Sequence, residues 1–166
     1  AALTKKVNLH SPPLFEVILP MTESADELIA IQEAFKEITE LKHALYHSEK
    51  NTIKNLEVIP LFEQVSTIIK SDAILEEYVS RYKKIFKHTP VYLRPYMARS
   101  DPALNSGMVP TVLAIKIALS HYKKLSKKLN IPFYPILGTA SLPFRGGLTP
   151  DNVEQFANEY KGIRTA

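Results

Sequence analysis

Three kinds of feature are missing from this chain, and each absence excludes some classes of protein. None of its 166 residues is cysteine, which excludes disulfides and thiolate metal sites and fits a cytoplasmic protein. No apolar run approaches the roughly 18–20 residues that a membrane-spanning helix needs. Residues 1–13 lack the apolar core of a signal peptide. The sequence therefore predicts a cytoplasmic protein that does not act in a membrane.

The positive charge of the chain is modest and concentrated in one place. The net charge is +4 and the isoelectric point is about 9.2. Much of the excess lies near the predicted end of one helix, where cations interact favourably with the helix dipole, at Lys123, Lys124, Lys127 and Lys128. Arginine and aromatic residues do not alternate as they do in nucleic-acid-binding surfaces. We expect a solvated lysine face and no nucleic-acid partner.

Short apolar strands alternate with amphipathic helices along the chain. Strands are predicted in the segments 15–24, 56–64, 91–107 and 133–147, with the third strand at 91–98 and the fourth at 133–138. The predicted helices cover about 25–47, 66–87, 107–129 and 150–160. Residues 1–13 are predicted to form an irregular segment. This alternation is typical of an α/β protein with a parallel sheet.

The number of strand–helix units suggests part of a larger architecture. Four units make half of an eightfold (β/α) barrel or a small open sheet, and an open half-barrel leaves two exposed strand edges. We predict that residues 14–166 form part of a TIM-type (β/α)₈ barrel. We also expect the chain to be a piece of a larger enzyme.

Two carboxylates follow neighbouring predicted strands. Glu63 ends the second strand and Asp101 ends the third. Because adjacent parallel strands lie about 4.8 Å apart, these carboxylates could share one divalent cation. Their hard oxygen donors suit Mg²⁺ or Mn²⁺. The alternative is that each carboxylate caps a helix or a turn.

Two arginines follow the third and fourth strands. In the P-F-R-G-G segment, Arg145 could grip a phosphate or carboxylate, while Gly146 and Gly147 allow close backbone approach. Arg99 lies two residues before Asp101, on the same face if the strand continues that far. We predict that both arginines bind an anion during catalysis. The alternatives are an exposed turn for Arg145 and a structural salt bridge for Arg99.

Four segments of the chain together resemble phosphoenolpyruvate carboxylase of the archaeal type. They are VIPLFEQV (58–65), ARSDPALNSG (98–107), FEVILPMTESADEL (15–28) and SLPFRGGLTPDNVE (141–154). The resemblance extends from about residue 14 to residue 165. It implies an enzyme that carboxylates phosphoenolpyruvate with bicarbonate, giving oxaloacetate and phosphate, with Mg²⁺ or Mn²⁺ as cofactor.

The resemblance also implies roles for individual residues. Glu63 and Asp101 correspond to the metal ligands of the family, and Arg145 corresponds to an arginine that holds the transferred phosphate. Arg164 would belong to the same substrate-binding site. The family's catalytic histidine lies in a T-x-H-P type motif that has no counterpart here, where His10 stands in H-S-P-P.

Because that histidine has no counterpart, the resemblance implies that this chain is inactive alone. Its expected partners are phosphoenolpyruvate, bicarbonate, the remainder of the enzyme and further copies of the same subunit. Two alternatives stay open. One is another metal-dependent lyase or aldolase of the phosphoenolpyruvate/pyruvate superfamily, and the other is a catalytically silent piece.

Overall fold

A computed structural model describes residues 15–46 and 56–166. The predicted irregular segment 1–13 lies outside these ranges. Along the chain the elements are β1 (Glu16–Leu19), α1 (Ala25–Tyr46), β2 (Glu57–Phe62), α2 (Val65–Phe86), β3 (Tyr96–Met97), α3 (Ser100–Ser106), α4 (Met108–Leu129), β4 (Ile136–Leu137), two 3₁₀ turns (Pro143–Arg145 and Pro150–Asn152) and α5 (Val153–Glu159). Strands and helices therefore alternate as the sequence predicts.

The strands form one parallel sheet in the order β1-β2-β3-β4. Each strand is added beside the one before it, with Phe62 opposite Met97 and Met97 opposite Leu137. Beyond β4, Thr165 forms a parallel bridge with Ile136 and accepts a hydrogen bond from the Leu137 backbone N–H at 3.0 Å. The predicted α/β class with a parallel sheet is confirmed.

The three long helices cover one face of this sheet. Helix α1 packs against α2, and α2 packs against α4, so all three lie side by side. Their apolar stripes meet the sheet in one core, whose fully buried side chains include Leu28, Phe62, Ile68, Leu75 and Ile115. Burying one such side chain stabilises the fold by roughly 1.5–3 kcal/mol. This core holds the strand ends in fixed positions.

Local sequence signals set the helix ends. Ser24 and Glu27 form the expected capping box, with the Ser24 N–H donating to Glu27 Oε2 at 3.2 Å and the Glu27 N–H donating to Ser24 Oγ at 3.4 Å. Asn130 ends α4 with a φ of 53°, a conformation that asparagine tolerates. Among the residues described, no helix combines the length and the apolar character needed to cross a bilayer.

The third and fourth strands are shorter than predicted. Instead of 91–98 and 133–138, regular pairing covers only β3 and β4, with one further bridge between Leu93 and Phe133. Pro95 and Pro135 lie between that bridge and the strands, and proline has no N–H to donate to a ladder. The prediction of a third strand over residues 91–98 was therefore wrong, because Pro95 interrupts the pairing.

Candidate functional site

A cavity of about 220 Å³ opens at the carboxyl ends of β2, β3 and β4. Its lining consists of Leu61, Glu63, Tyr96, Ala98, Arg99, Ser100, Asp101, Gly138, Thr139, Ala140 and Arg145. Two acidic residues and two arginines thus line one small space. All four are charged residues that the sequence singles out, and the cavity lies at the sheet edge that carries the chemistry in parallel α/β folds.

Glu63 lies immediately after β2, as predicted. Its Oε2 accepts a hydrogen bond from the Met21 backbone N–H at 2.6 Å. Met21 has a φ of 51°, which is uncommon for a residue other than glycine. The neighbouring Gln64 Nε2 donates to Glu23 Oε1 at 3.3 Å. These contacts tie the turn after β1 to the two residues that follow β2.

Asp101 reaches the cavity from a helix. Because β3 ends at Met97, Asp101 lies in the first turn of α3, and the prediction that it ends a strand was wrong. The prediction that Arg99 and Asp101 share a strand face fails for the same reason. The Asp101 side chain is exposed, and Ser100 Oγ lies 3.4 Å from its Oδ2. No lysine or arginine of the described ranges lies within 4.0 Å of the Asp101 carboxylate.

Arg99 is buried, with only 7% of its surface exposed. Its Nη1 donates to the hydroxyl of Tyr160 at 3.0 Å, and its Nε is buried without a hydrogen-bond partner in the part of the chain that is described. Within that part, the guanidinium forms no ion pair with a carboxylate, so the structural salt bridge considered above is not observed. A buried charge without a partner is costly, and a bound anion would offset that cost.

Arg145 belongs to the loop that follows β4. It ends the first 3₁₀ turn, and its side chain is exposed beside the Phe144 ring, with the guanidinium carbon 5.5 Å from the ring centroid. Its carbonyl accepts a hydrogen bond from the Ala140 N–H at 2.9 Å. Gly146 and Gly147 follow with φ values of 110° and 69°, in the region that glycine adopts most readily. The two glycines turn the chain so that Arg145 borders the cavity.

Arg164 lies apart from these residues. It does not line the cavity, and its guanidinium carbon is 5.9 Å from the centroid of the Tyr134 ring. Its N–H donates to the Pro135 carbonyl at 2.8 Å, which places it beside the start of β4. In this structure Arg164 is therefore separated from Arg145 and the two carboxylates.

Two residues of the site were missed by the sequence reasoning. Thr139 lines the cavity, and its Oγ1 is buried without a hydrogen-bond partner in the described ranges. Its position directly after the fourth predicted strand was the signal available. Tyr160 contacts Arg99 from 61 residues further along the chain. No local sequence pattern connects residues so far apart.

The donor set of the cavity can be compared with what a divalent metal requires. In the described ranges no group of three or more histidine, cysteine, aspartate or glutamate residues could hold a metal ion. Mg²⁺, however, commonly takes one or two carboxylates and completes its shell with water and phosphate oxygens. Glu63 and Asp101, both lining one cavity, fit that requirement.

Comparison with known proteins agrees with the resemblance found in the sequence. A family model described as phosphoenolpyruvate carboxylase matches residues 2–166. The chain is similar to the phosphoenolpyruvate carboxylase of Leuconostoc mesenteroides, with 38% identity over 157 residues, covering 94% of the chain and 31% of that relative. It is 39% identical over 160 residues to the Pyrococcus horikoshii protein of the same name, covering 92% of the chain and 33% of that relative.

An archaeal relative from Metallosphaera sedula, also named phosphoenolpyruvate carboxylase, is 40% identical over 162 residues. That match covers 92% of the chain and 31% of the relative. The chain therefore spans about a third of the length of the curated relatives that it matches.

Proposed function

Since the chain belongs to the phosphoenolpyruvate carboxylase family, we propose that it forms the metal- and phosphate-binding part of a larger carboxylase subunit. The reaction is the carboxylation of phosphoenolpyruvate with bicarbonate to oxaloacetate and phosphate, a carbon–carbon lyase activity that fixes inorganic carbon. The observation that carries this proposal is the single cavity lined by Glu63, Asp101, Arg99 and Arg145.

The two carboxylates are the proposed metal ligands. Glu63 and Asp101 would hold Mg²⁺ or Mn²⁺, with water and substrate in the other positions. When bound, such an ion stabilises the negative charge that develops on the enolate oxygen of pyruvate. The hydrogen bond from the Met21 N–H holds one carboxylate oxygen of Glu63, which lines the cavity.

The arginines are the proposed phosphate-binding groups. During transfer the phosphoryl group carries charge on its outer oxygens, and guanidinium groups neutralise that charge in a fixed, bidentate geometry. Arg145 reaches the cavity from the exposed loop that Gly146 and Gly147 shape, whereas Arg99 is buried at its wall. We assign a catalytic role to both arginines and substrate contacts to the backbone of the two glycines.

We further propose that the sheet is part of a (β/α)₈ barrel. Its sequential strand order, its three helices on one face and the pairing of Thr165 beside β4 support this. Val17 and Leu19 pack toward the helices, so Ile18 lies on the opposite face, where it is 52% exposed. In a closed barrel that face would be the packed interior.

The remaining strands would come from the rest of the subunit. A cytoplasmic location and assembly with further copies of the subunit also remain predictions. The first follows from the lack of cysteine in the sequence, the second from the open strand edges of an incomplete barrel, and the proposed site does not depend on either of them.

The proposal can be tested by Mn²⁺ binding, measured by electron paramagnetic resonance on the chain with and without phosphoenolpyruvate. We expect Glu63→Gln and Asp101→Asn each to weaken binding at least about tenfold, because each removes one of two carboxylate ligands. The control is Glu76→Gln, which removes a carboxylate that pairs with Lys128 on the outer side of α2. Equal Mn²⁺ affinity in all four proteins would refute the assigned metal ligands.

Activity distinguishes the proposed reaction from the alternatives. The complete subunit should release phosphate from phosphoenolpyruvate only when bicarbonate is present, and Arg145→Gln should abolish that release. The 166-residue chain alone should form no oxaloacetate. Cleavage of a carbon–carbon bond without any dependence on bicarbonate would instead indicate an aldolase or another lyase.

A further inference from the structure

The buried guanidinium of Arg99 has an uncharged hydrogen-bond partner, which is unusual. Arg99 is 7% exposed, and its Nη1 donates to Tyr160 Oη at 3.0 Å, a bond buried on both sides. Buried guanidinium groups are commonly held by carboxylates. Here the partner is a phenol, and the Nε of the same fork has no hydrogen-bond partner in the ranges that the structure describes.

A neutral partner has a different effect from an acidic one. A carboxylate would fix the guanidinium and also cancel much of its field, since opposite charges interact strongly in a partly buried site. The hydroxyl of Tyr160 fixes one nitrogen and leaves the positive charge available. Because Arg99 lines the cavity, that charge acts on whatever anion the cavity holds.

The position of Tyr160 is itself well determined. Only 2% of its surface is exposed, and its ring lies 4.8 Å from that of Phe156, centroid to centroid. On another side, Lys116 Nζ lies 5.6 Å from the centroid of the Tyr160 ring and 3.1 Å from Glu159 Oε1. A tyrosine packed in this way can direct its hydroxyl at one point with little loss of side-chain entropy.

The same contacts reach the loop of Arg145. A β-carbon at Gly146 would lie 3.6 Å from Phe156 Cε2, so the Phe156 ring lies beside this loop. Phe156 packs on Tyr160, and Tyr160 holds Arg99. The segment after β4 therefore contributes Arg145 directly and orients Arg99 through Tyr160.

We propose that Tyr160 is a positioning residue, which holds the Arg99 guanidinium toward an anion in the cavity without neutralising it. The identification of that anion as the phosphate of phosphoenolpyruvate rests on the proposed function. The orientation of Arg99 by Tyr160 does not depend on it.

The first test observes Arg99 directly. In ¹⁵N-labelled chain, the Arg99 Nε–H resonance, assigned by its loss in Arg99→Gln, reports how firmly the guanidinium is held. We expect Tyr160→Phe, which keeps the ring packing, to speed solvent exchange of this proton at least about tenfold, since one hydrogen bond to a charged group is lost. An unchanged exchange rate would overturn the proposal, whether or not any anion binds.

The second test measures anion binding. Inorganic phosphate and phosphoenolpyruvate are titrated into the wild type, Tyr160→Phe and the control Tyr122→Phe, whose hydroxyl lies 2.6 Å from Ser71 Oγ in the core. We expect roughly tenfold weaker binding in Tyr160→Phe and unchanged binding in Tyr122→Phe. Equal weakening in both tyrosine variants would mean a structural role only and would overturn the proposal.

A double-mutant cycle tests whether Tyr160 acts on anion binding through Arg99. In the Arg99→Gln background, Tyr160→Phe should cause no further loss of phosphate affinity, because the residue through which it acts is absent. Additive losses would exclude action through Arg99. If Arg99→Gln itself binds phosphate as the wild type does, the assignment of Arg99 to the substrate site fails, while the exchange experiment still decides the role of Tyr160.

Discussion

The backbone of Gly146 passes directly over the side chain of Thr139. A β-carbon at Gly146 would lie only 2.6 Å from Thr139 Oγ1, closer than real β-carbons approach any atom. By contrast, no atom lies within 4 Å of a β-carbon built at Gly147. Both glycines have positive φ values, of 110° and 69°. The first glycine of the R-G-G segment is therefore required for close contact as well as for its backbone conformation, and the second for its conformation alone.

This difference predicts unequal effects of two matched substitutions. Gly147→Ala should lower the free energy of unfolding by about 1–2 kcal/mol, the cost of a left-handed conformation with a side chain. Gly146→Ala should cost about 1–3 kcal/mol more, because the new methyl group forces Thr139 or the loop to move. Chemical denaturation followed by tyrosine fluorescence measures both values. Equal losses would contradict the contact between Gly146 and Thr139.

The buried Arg99 predicts that anions stabilise the fold. A ligand that binds only the folded state raises its stability, and phosphate at 100 times its dissociation constant adds about 2.7 kcal/mol. We expect inorganic phosphate to raise the melting temperature of the wild type and to have a much smaller effect on Arg99→Gln. The control is Arg81→Gln, which removes an arginine that pairs with Asp26 and Glu77 away from the cavity. A phosphate response that persists in Arg99→Gln would contradict this prediction.

The succession of elements could be predicted from the sequence because local signals agree. Apolar spacing identifies the long helices, and the Ser24–Glu27 pair and Asn130 mark helix ends in the structure as they do in the sequence. The lengths of β3 and β4 could not be predicted, because the apolar pattern continues through Pro95 and Pro135, whereas these prolines lack the N–H groups that regular strand pairing needs. Helix α3 was missed because its seven residues are too few to show a period.

The charged residues of the cavity could be predicted because parallel strands bring their carboxyl ends to one edge. That argument needs only the order of strands and turns, and it gathers Glu63, Asp101 and Arg145 even though Asp101 lies on a helix. The contact between Arg99 and Tyr160 depends on how α5 packs, which is a tertiary property with no local pattern. A residue that acts through such a contact can be identified only from a structure.

The turn after β1 carries a second testable contact at the site. Met21 has a φ of 51°, and its N–H donates to Glu63 Oε2 at 2.6 Å. Met21→Pro removes that N–H and requires a φ near −65°, so it should displace the Glu63 carboxylate. Met21→Gly permits the observed φ and keeps the donor. We expect Mn²⁺ affinity to fall several-fold in Met21→Pro and to stay near the wild-type value in Met21→Gly; similar affinities in both would show that the bond does not orient Glu63.

At the amino ends of β1 and β2, away from the cavity, Glu16 lies opposite Glu57 in the sheet. The two glutamates have different surroundings. Glu16 accepts hydrogen bonds from Tyr92 Oη at 2.8 Å and from Arg94 Nη1 at 2.6 Å. For Glu57, burial raises the pKa of the carboxyl above its ordinary value of 4.5, and the negative charge of Glu16 adds to this, while His88 opposes it. One glutamate of the pair is thus neutralised by a partner, and the other is disfavoured in its charged form.

The raised pKa of Glu57 gives stability a definite dependence on pH. The folded state holds this proton more tightly than the unfolded state, so the contribution of Glu57 to stability falls as the pH rises from about 4.5 through the folded-state pKa. Glu57→Gln should remove that decline and raise the free energy of unfolding at pH 7, by no more than about 1 kcal/mol because the group is partly exposed. Glu16→Gln should lower it, since Arg94 loses its charged partner. Denaturation series between pH 4 and pH 8 measure both, and parallel curves for wild type and Glu57→Gln would contradict the raised pKa.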